Sequence, residues 1–225
     1  SMEINWEGIA VFLTALAGFS GIILPIVNSK VKRAEKRYDI ELERLRRETD
    51  ERQGYMKARL STVYSSIYGY LWKSMFQMSA QRVGILQPHP LSHKQYFSCS
   101  FEIVEPDSGI QSCKSEFQFK RMAEWGNFVS RLSAEDWMIY TDIENIKDKK
   151  VYAEAHRRGV RSLFFRRLTD ADGDWIGTLY AEFFDPVTDP AILANIKGEM
   201  ERKAMLIQDI LPEYKPLMPA EQTNV

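Results

Sequence analysis

Apolar and polar positions divide the chain into four stretches. From Gly8 to Ser29 there is no charged residue, and Ile9 to Val27 is apolar on every helical face, interrupted only by Thr14, Ser20 and small residues. A helix of this length spans about 30 Å, the depth of a bilayer core, and a buried core helix would carry the polar stripe that this one lacks. The pattern predicts a transmembrane helix over 8–29. Residues 30–59 are dense in Arg, Lys and Glu and contain no Pro, which predicts a charged helical connector. Glu43 with Arg47 and Glu48 with Arg52 stand in the favourable i,i+4 order. Val31, Tyr38, Leu42, Leu45, Thr49, Met56 and Val63 follow a 3.5-residue spacing that Arg52 and Arg59 interrupt, so a coiled-coil seam is predicted for the first half. A solvated single helix and a basic start lying on anionic lipid headgroups are the competing readings.

From 60 to 211 the periodicity alternates between helical and extended. Leu60, Val63, Ile67, Tyr70, Leu71, Met75 and Met78 form a helical apolar stripe. Arg82 to Gln87 and Tyr96 to Val104 read as an antiparallel strand pair, separated by Pro88-His89-Pro90 and closed by Pro106-Asp107-Ser108-Gly109. Met122, Trp125, Val129 and Leu132 mark a second helix, Met138 to Thr141 a short strand, and Lys147 to Arg158 a helix stopping at Gly159. Val160 to Leu168 and Trp175 to Phe184 flank Asp170-Ala171-Asp172-Gly173-Asp174, where Asp-Gly supplies the positive φ of a hairpin turn. A last helix starts at Pro190 with Asp189 as its cap. Strands bracketed by helices predict an α+β domain with a central antiparallel sheet, followed by a mobile tail over 212–225.

Charge gives this layout an orientation. Glu3 and Glu7 precede the apolar helix, whereas Lys30, Lys32, Arg33, Lys36 and Arg37 follow it, which predicts a single-pass inner-membrane protein with its N-terminus out and its domain in the cytoplasm. The apolar run lacks the positive start and small-residue cleavage site of a signal peptide, so it reads as a retained anchor; Ser1 ahead of Met2 reads as an expression remnant. Thr14 and Gly18 form a small-xxx-small pair, and with the connector seam they suggest a homo-oligomer. Over 225 residues, 30 basic and 31 acidic side chains nearly cancel, so no nucleic-acid partner is predicted. Two cysteines, Cys99 and Cys113, form no disulfide framework and fit a reducing compartment.

No phosphate loop, nucleophile elbow or His-Glu-x-x-His pattern occurs, and His89, His93 and Cys99 match no zinc spacing, so the chain is expected not to be an enzyme. The run Asp170 to Asp174 lacks the twelve-residue loop of a calcium site and is better read as a turn.

The segments Arg158-Gly159-Val160-Arg161-Ser162-Leu163, Arg167-Leu168, Asp172-Gly173 and Trp175-Ile176-Gly177-Thr178-Leu179-Tyr180 resemble the second half of GAF domains, and the element order over about 60–211 agrees. The resemblance implies a GAF-like fold in which sheet and covering helices form a cup for a small ligand, or else a dimerisation platform. The Asn-Lys-Phe-Asp-Glu signature linked with cyclic nucleotides in that family has no counterpart here. Neither cysteine falls in a tetrapyrrole-attachment loop, and no cofactor is assigned. Candidate cup residues are His156, Arg161 and Ser162, with Trp125, Trp137 and Tyr140 as aromatic walls, because a pocket combines apolar lining with a few placed polar groups. His156 equally fits a favoured helix C-terminus, and the aromatics equally fit core. The expected function is a membrane-anchored sensory or ligand-binding module signalling through connector and anchor, a pore-forming effector being one variant. The alternative is a bacterial or phage membrane scaffold that oligomerises and recruits protein partners. Output through the anchor or a partner is expected, since no further domain follows 211.

Overall fold

The computed structural model describes residues 6–106 and 108–216, with side chains at Lys32, Lys36, Arg37 and from Asp39 onward. Contacts divide the chain into two units, Ser1–Arg59 and Leu60–Val225. The helix α1, Trp6–Met78, contributes to both. Among the described residues no helix is long and apolar enough to cross a membrane. The side chains of the expected anchor, 8–29, lie outside the described residues.

In the first unit the connector is helical, and its described side chains are exposed, including Ile40, Leu42, Leu45 and Met56. Glu43 pairs with Arg47 at 2.9 Å as its spacing predicts, but Glu48 turns back to Arg44 at 3.1 Å instead of reaching Arg52. Both geometries are i,i+4, so an acid flanked by arginines on either side has two comparable partners.

The second unit is an α+β domain. Its strands are β1 Arg82–His89, β2 Tyr96–Val104, β3 Lys120–Arg121, β4 Trp137–Tyr140, β5 Ser162–Thr169 and β6 Trp175–Phe183. They form one antiparallel sheet in the order β3-β2-β1-β6-β5-β4. The helices α2 Gly126–Ala134, α3 Lys149–Arg157 and α4 Pro190–Gln208 complete it. Asp189 caps α4 by accepting from Ala191 N and Ile192 N, and Asp148 caps α3 in the same way, satisfying amides that a helix start leaves unpaired. In the β5–β6 hairpin Asp170 Oδ1 accepts from the amides of Asp172 and Asp174, and Gly173 takes φ +85°. Of the turn expected after β2, Asp107 lies outside the described residues.

Strand alternation sends side chains to two cores. On one face Ile67, Leu71 and Met75 of α1 and Ile196, Met200 and Ile207 of α4 pack on Val83, Ile85, Phe164 and Leu179. On the other, Phe128 and Leu132 of α2 and Val151 and Ala155 of α3 pack with Trp125 on Phe97, Cys99, Phe165 and Tyr180. The tail does not leave the domain at once: Gln87 Nε2 donates to Pro212 O at 3.0 Å, and Tyr214 Oη donates to Gln118 at 2.8 Å. Residues 217–225 lie outside the described residues.

Candidate ligand cup

The face covered by α2 and α3 holds a charged cluster inside the apolar core. Opposite residues in the register align Tyr180 of β6, Gly84 of β1 and Glu102 of β2 in one row, with Glu182 beside Arg82 in the next. Gly84 is required there. A Cβ on it would stand 2.6 Å from both the Tyr180 hydroxyl and the Phe101 carbonyl oxygen, so only glycine lets the tyrosine ring cross the strand. A bulge shifts the β1–β2 register between Ile85 and Leu86, which pair with Phe101 and Cys99, leaving Ser100 as the extra residue. That extra residue brings Cys99 and Glu102 to the same face.

Glu102 is surrounded by donors. Its Oε1 accepts from the Ser112 hydroxyl and from the amides of Cys113 and Lys114 at 3.0 and 3.3 Å. Its Oε2 accepts from Tyr180 Oη at 2.9 Å and from the Cys113 thiol at 2.8 Å, and Arg82 Nε lies 3.6 Å away. Glu182 accepts from Arg82 Nη1 on one oxygen, and its other oxygen lies 2.8 Å from Arg158 Nη2. Arg158, at the C-terminal end of α3, also donates to the Cys113 sulfur at 3.2 Å and stacks 5.1 Å from the Phe117 ring centre.

Burial and neighbours set the protonation of the cluster. Burial works against charge on Arg82 and Arg158, but the Glu182 carboxylate and the other partners outweigh it and raise both pKa values. Burial, with Glu182 beside it, pushes the Cys113 thiol up to about 12, and burial, with Glu102 beside it, also raises Cys99. Tyr180 is held well above its usual range by burial first and by the neighbouring thiols and carboxylates. The thiols are therefore protonated donors, not thiolate nucleophiles.

This cluster closes one end of a cavity of about 30 Å³, lined by Leu86, Phe117, Trp125, Phe128, Phe165 and Arg158 among others. Cys113 and Arg158 also border an open polar cleft of about 400 Å³ that reaches Arg82, Gln111, Glu116 and Arg157. Trp125 forms the outer wall, with its ring 5.8 Å from those of Phe97 and Phe128 and the Lys150 ammonium 4.5 Å from its centre. The cavity holds about two waters, far below the roughly 300–1,000 Å³ of ordinary ligand sites. A tetrapyrrole does not fit the cup in this arrangement, because Phe97, Phe117, Trp125 and Phe128 fill it.

Of the six residues singled out in the sequence, only Trp125 lines the cavity. Tyr140 packs against the same core, but its hydroxyl is taken by Arg131 at 2.6 Å. Trp137 lies against the opposite core, because neighbouring residues of β4 face opposite ways. His156 is exposed on α3 beside Tyr152, and Arg161 pairs with Asp142 at 3.3 Å. Ser162 is buried and bonds the Thr141 and Asp185 carbonyls and the Val187 amide, an arrangement that ties strand ends together. Arg82, Glu102, Cys113, Arg158, Tyr180 and Glu182 were not singled out. Glu102 and Glu182 carry a signal, a charged residue within an otherwise apolar strand, in Ser100-Phe101-Glu102-Ile103-Val104 and Tyr180-Ala181-Glu182-Phe183.

A six-stranded antiparallel sheet with α1 and α4 on one face and a small, aromatic-filled cup under α2 and α3 on the other defines the class of fold. No family model and no curated protein matches the sequence. Among solved structures the chain is similar to GAF3 of Slr1393 from Synechocystis sp. PCC6803 in its photoproduct state, at 11% identity over 65% of this chain and 94% of that one, TM-score 0.51. It is also similar to the blue-light absorbing form of the PixJ GAF domain of Thermosynechococcus elongatus, at 13% identity over 68% of this chain and 88% of that one, TM-score 0.50. A third, the cyanobacteriochrome receptor PixJ in dark and illuminated states, matches at 12% identity over 67% of this chain and 97% of that one, TM-score 0.51. The domain has the GAF fold.

Proposed function

We propose that the chain is a non-enzymatic, membrane-tethered sensory module whose GAF-fold domain takes a small ligand at the junction of cavity and cleft. Arg158 and Cys113 border both. The observation that carries this reading is the buried Arg82–Glu182–Arg158 cluster with Glu102. Charges buried in a core are costly to desolvate, and apolar residues of similar volume would stabilise a domain at least as well, so such a cluster beside a cavity marks a functional site. The cavity as folded is too small for a metabolite. Binding therefore requires Trp125, Phe117 or Arg158 to move, and a ligand that favours one of two arrangements is what shifts a sensor's population. Because two arginines face two carboxylates, the ligand class is neutral or zwitterionic. The proposed route out is the connector and anchor: 8–29 in the inner membrane, N-terminus outside, domain in the cytoplasm, with the apolar seam in the first half of 30–59 pairing two copies. The basic start of the connector would lie against anionic lipid.

Scaffolding without a small ligand is favoured by one observation, the filling of the cup by the chain's own aromatic rings. Thermal unfolding of the detergent-solubilised chain against amino acids, neutral metabolites, nucleotides and haem separates the two. A ligand at 100 times its dissociation constant adds about 2.7 kcal/mol, or roughly 5–10 °C for a domain of this size. A shift of that size with a neutral or zwitterionic compound supports the sensor. No shift across the panel from a cooperatively folded sample sinks it in favour of the scaffold.

A further inference from the structure

The corner where β1 ends and β2 begins carries a second recess, on the sheet face away from the cup. Strand alternation builds it. Phe97 points into the core under α2 and α3, so its neighbours Tyr96 and Ser98 point the other way, and Tyr96 meets His89 across the ladder. The tail after α4 crosses this corner and brings Tyr214 against His89. Together they line an open cleft of about 450 Å³ that shares no lining residue with the cup. Its size falls within the roughly 300–1,000 Å³ of ordinary ligand sites.

Four rings stand there at fixed angles. Phe119 and Tyr214 lie 5.1 and 5.6 Å from His89 with their planes turned 89° and 79° to it, while Tyr96 stacks on His89 at 5.8 Å. Bonds within the chain hold this set. Ser98 Oγ lies 2.7 Å from His89 Nε2 and accepts from Phe119 N at 2.8 Å. Phe119 takes φ +49°, a left-handed conformation that a bulky residue keeps only where its surroundings impose it. Tyr214 Oη donates to Gln118, whose amide nitrogen donates to the Cys99 and Lys114 carbonyls at 2.8 and 2.7 Å.

We propose that this corner binds a quaternary ammonium group, held by the rings of Tyr96, Phe119 and Tyr214 with the Glu213 carboxylate at the rim. Ring faces carry the negative end of the aromatic quadrupole, so rings set at right angles around one space attract a cation from several sides and repel an anion. Glu213 lines the cleft and adds a negative charge. Lys215 pairs with it at 2.9 Å, but the lysine side chain is 77% exposed, and a pair so open does not withhold the carboxylate from a second cation. Lys120, next to Phe119, lies over Phe117 of the cup core instead. Burial keeps the His89 ring neutral, so it adds a face and no repelling charge. A methylated ammonium suits the lining better than a primary one. The three N–H groups of a primary ammonium need acceptors, whereas His89 Nε2 and Tyr214 Oη are already bonded within the chain and the cleft offers mainly faces.

Saturation-transfer NMR on the full chain, in a maltoside detergent that carries no ammonium group, tests this at neutral pH. Choline and tetramethylammonium are titrated to millimolar concentration beside dimethylbutanol, the neutral isostere in which carbon replaces the charged nitrogen of choline. Transfer to the methyl protons of both cations is expected, with choline binding at least about tenfold more tightly than dimethylbutanol. Tyr214→Leu, which lies in the tail beyond the sheet, should weaken choline about five- to tenfold, and Tyr214→Phe, which keeps the face, should not; thermal unfolding of each variant verifies that the domain is folded. Glycerophosphocholine separates the two sources of the group: tighter binding than choline assigns the site to a lipid headgroup, equal or weaker binding to a free amine. Equal affinity for choline and dimethylbutanol would make the cleft a plain apolar groove, open to a proline-rich peptide, and would overturn the proposal. So would the absence of transfer to either cation, or choline binding by a folded Tyr214→Leu chain that matches the natural one.

Discussion

Replacing Glu182 with Gln tests whether the charged cluster behaves as a buried unit. The Glu182 side chain is 2% exposed, and its partners Arg82 and Arg158 are 3% and 12% exposed. Glutamine keeps the shape but removes the charge that two guanidinium groups face, leaving Arg82 with Glu102 at 3.6 Å and Arg158 with a neutral thiol. Stranding a buried charge in this way costs about 3–5 kcal/mol, which for a domain of this size lowers the unfolding midpoint by about 6–20 °C. The control is Asp136→Asn. Asp136 pairs with Arg167 at 2.9 Å, but its carboxylate side is 65% exposed, and pairs of that kind contribute at most about 1 kcal/mol. Midpoints are read by circular dichroism, with urea unfolding to establish that the cooperativity is unchanged. The double variant Arg158→Met/Glu182→Gln removes one stranded cation and recovers part of the loss, because neighbours in one network are not additive. If Glu182→Gln costs no more than Asp136→Asn, the cluster is not the energetic centre argued above.

Gly84→Ala forces a Cβ against a backbone oxygen and the Tyr180 ring; urea unfolding should report a loss of about 1–3 kcal/mol or more, and a neutral effect would contradict the close approach. His89 is buried, and burial holds its pKa below the usual 6.5. The neutral ring is thus the folded form: its contribution is complete above 6.5 and is lost as pH falls below that toward the lowered folded value. Midpoints taken from about pH 7 down to about pH 5 should therefore fall less steeply in His89→Gln than in the natural chain, and parallel curves would refute this. Cys99 and Cys113 are buried thiols of raised pKa, so iodoacetamide at mildly alkaline pH should label neither until denaturant is added, as followed by intact mass; prompt labelling of the native chain would mean that the cup opens readily.

Periodicity and turn chemistry made the element order legible. The stripe from Ile67 to Met78, the Asp-Gly hairpin and the Asp189 cap are local signals, and each formed where its residues indicated. The order of the sheet was not legible, because the pairing of β1 with β6 joins residues about a hundred positions apart and no local pattern encodes it. The same gap explains the site. Glu182 joins Arg82 and Glu102 only through that pairing, whereas Arg161 and Ser162, conspicuous within a family-like motif, are spent on ends of strands. The two-residue strand β3 left no periodic trace at all. Trp137 and Tyr140 are separated by an odd number of positions on one strand, so alternation forbids both from facing one cup; the strand read from the sequence, Met138 to Thr141, began one residue too late to apply that constraint to Trp137.

The charge balance of the cluster bears on what the cup could recognise. Glu102 accepts from amides, a hydroxyl, a phenol and a thiol much as a bound carboxylate would, and Glu182 occupies the forks of two arginines. The donors that would otherwise hold an anionic ligand are thus already filled by the chain's own carboxylates. An incoming phosphate would have to displace one of them into a core that offers no replacement partner, and stranding that carboxylate would cost on the order of several kcal/mol before any contact with the ligand was gained. A neutral or zwitterionic molecule entering beside Arg158 and Cys113 meets no such cost. It needs only the thiol, the edge of the Arg158 guanidinium and the Phe117 and Trp125 faces, and these are the groups shared by or bordering cavity and cleft.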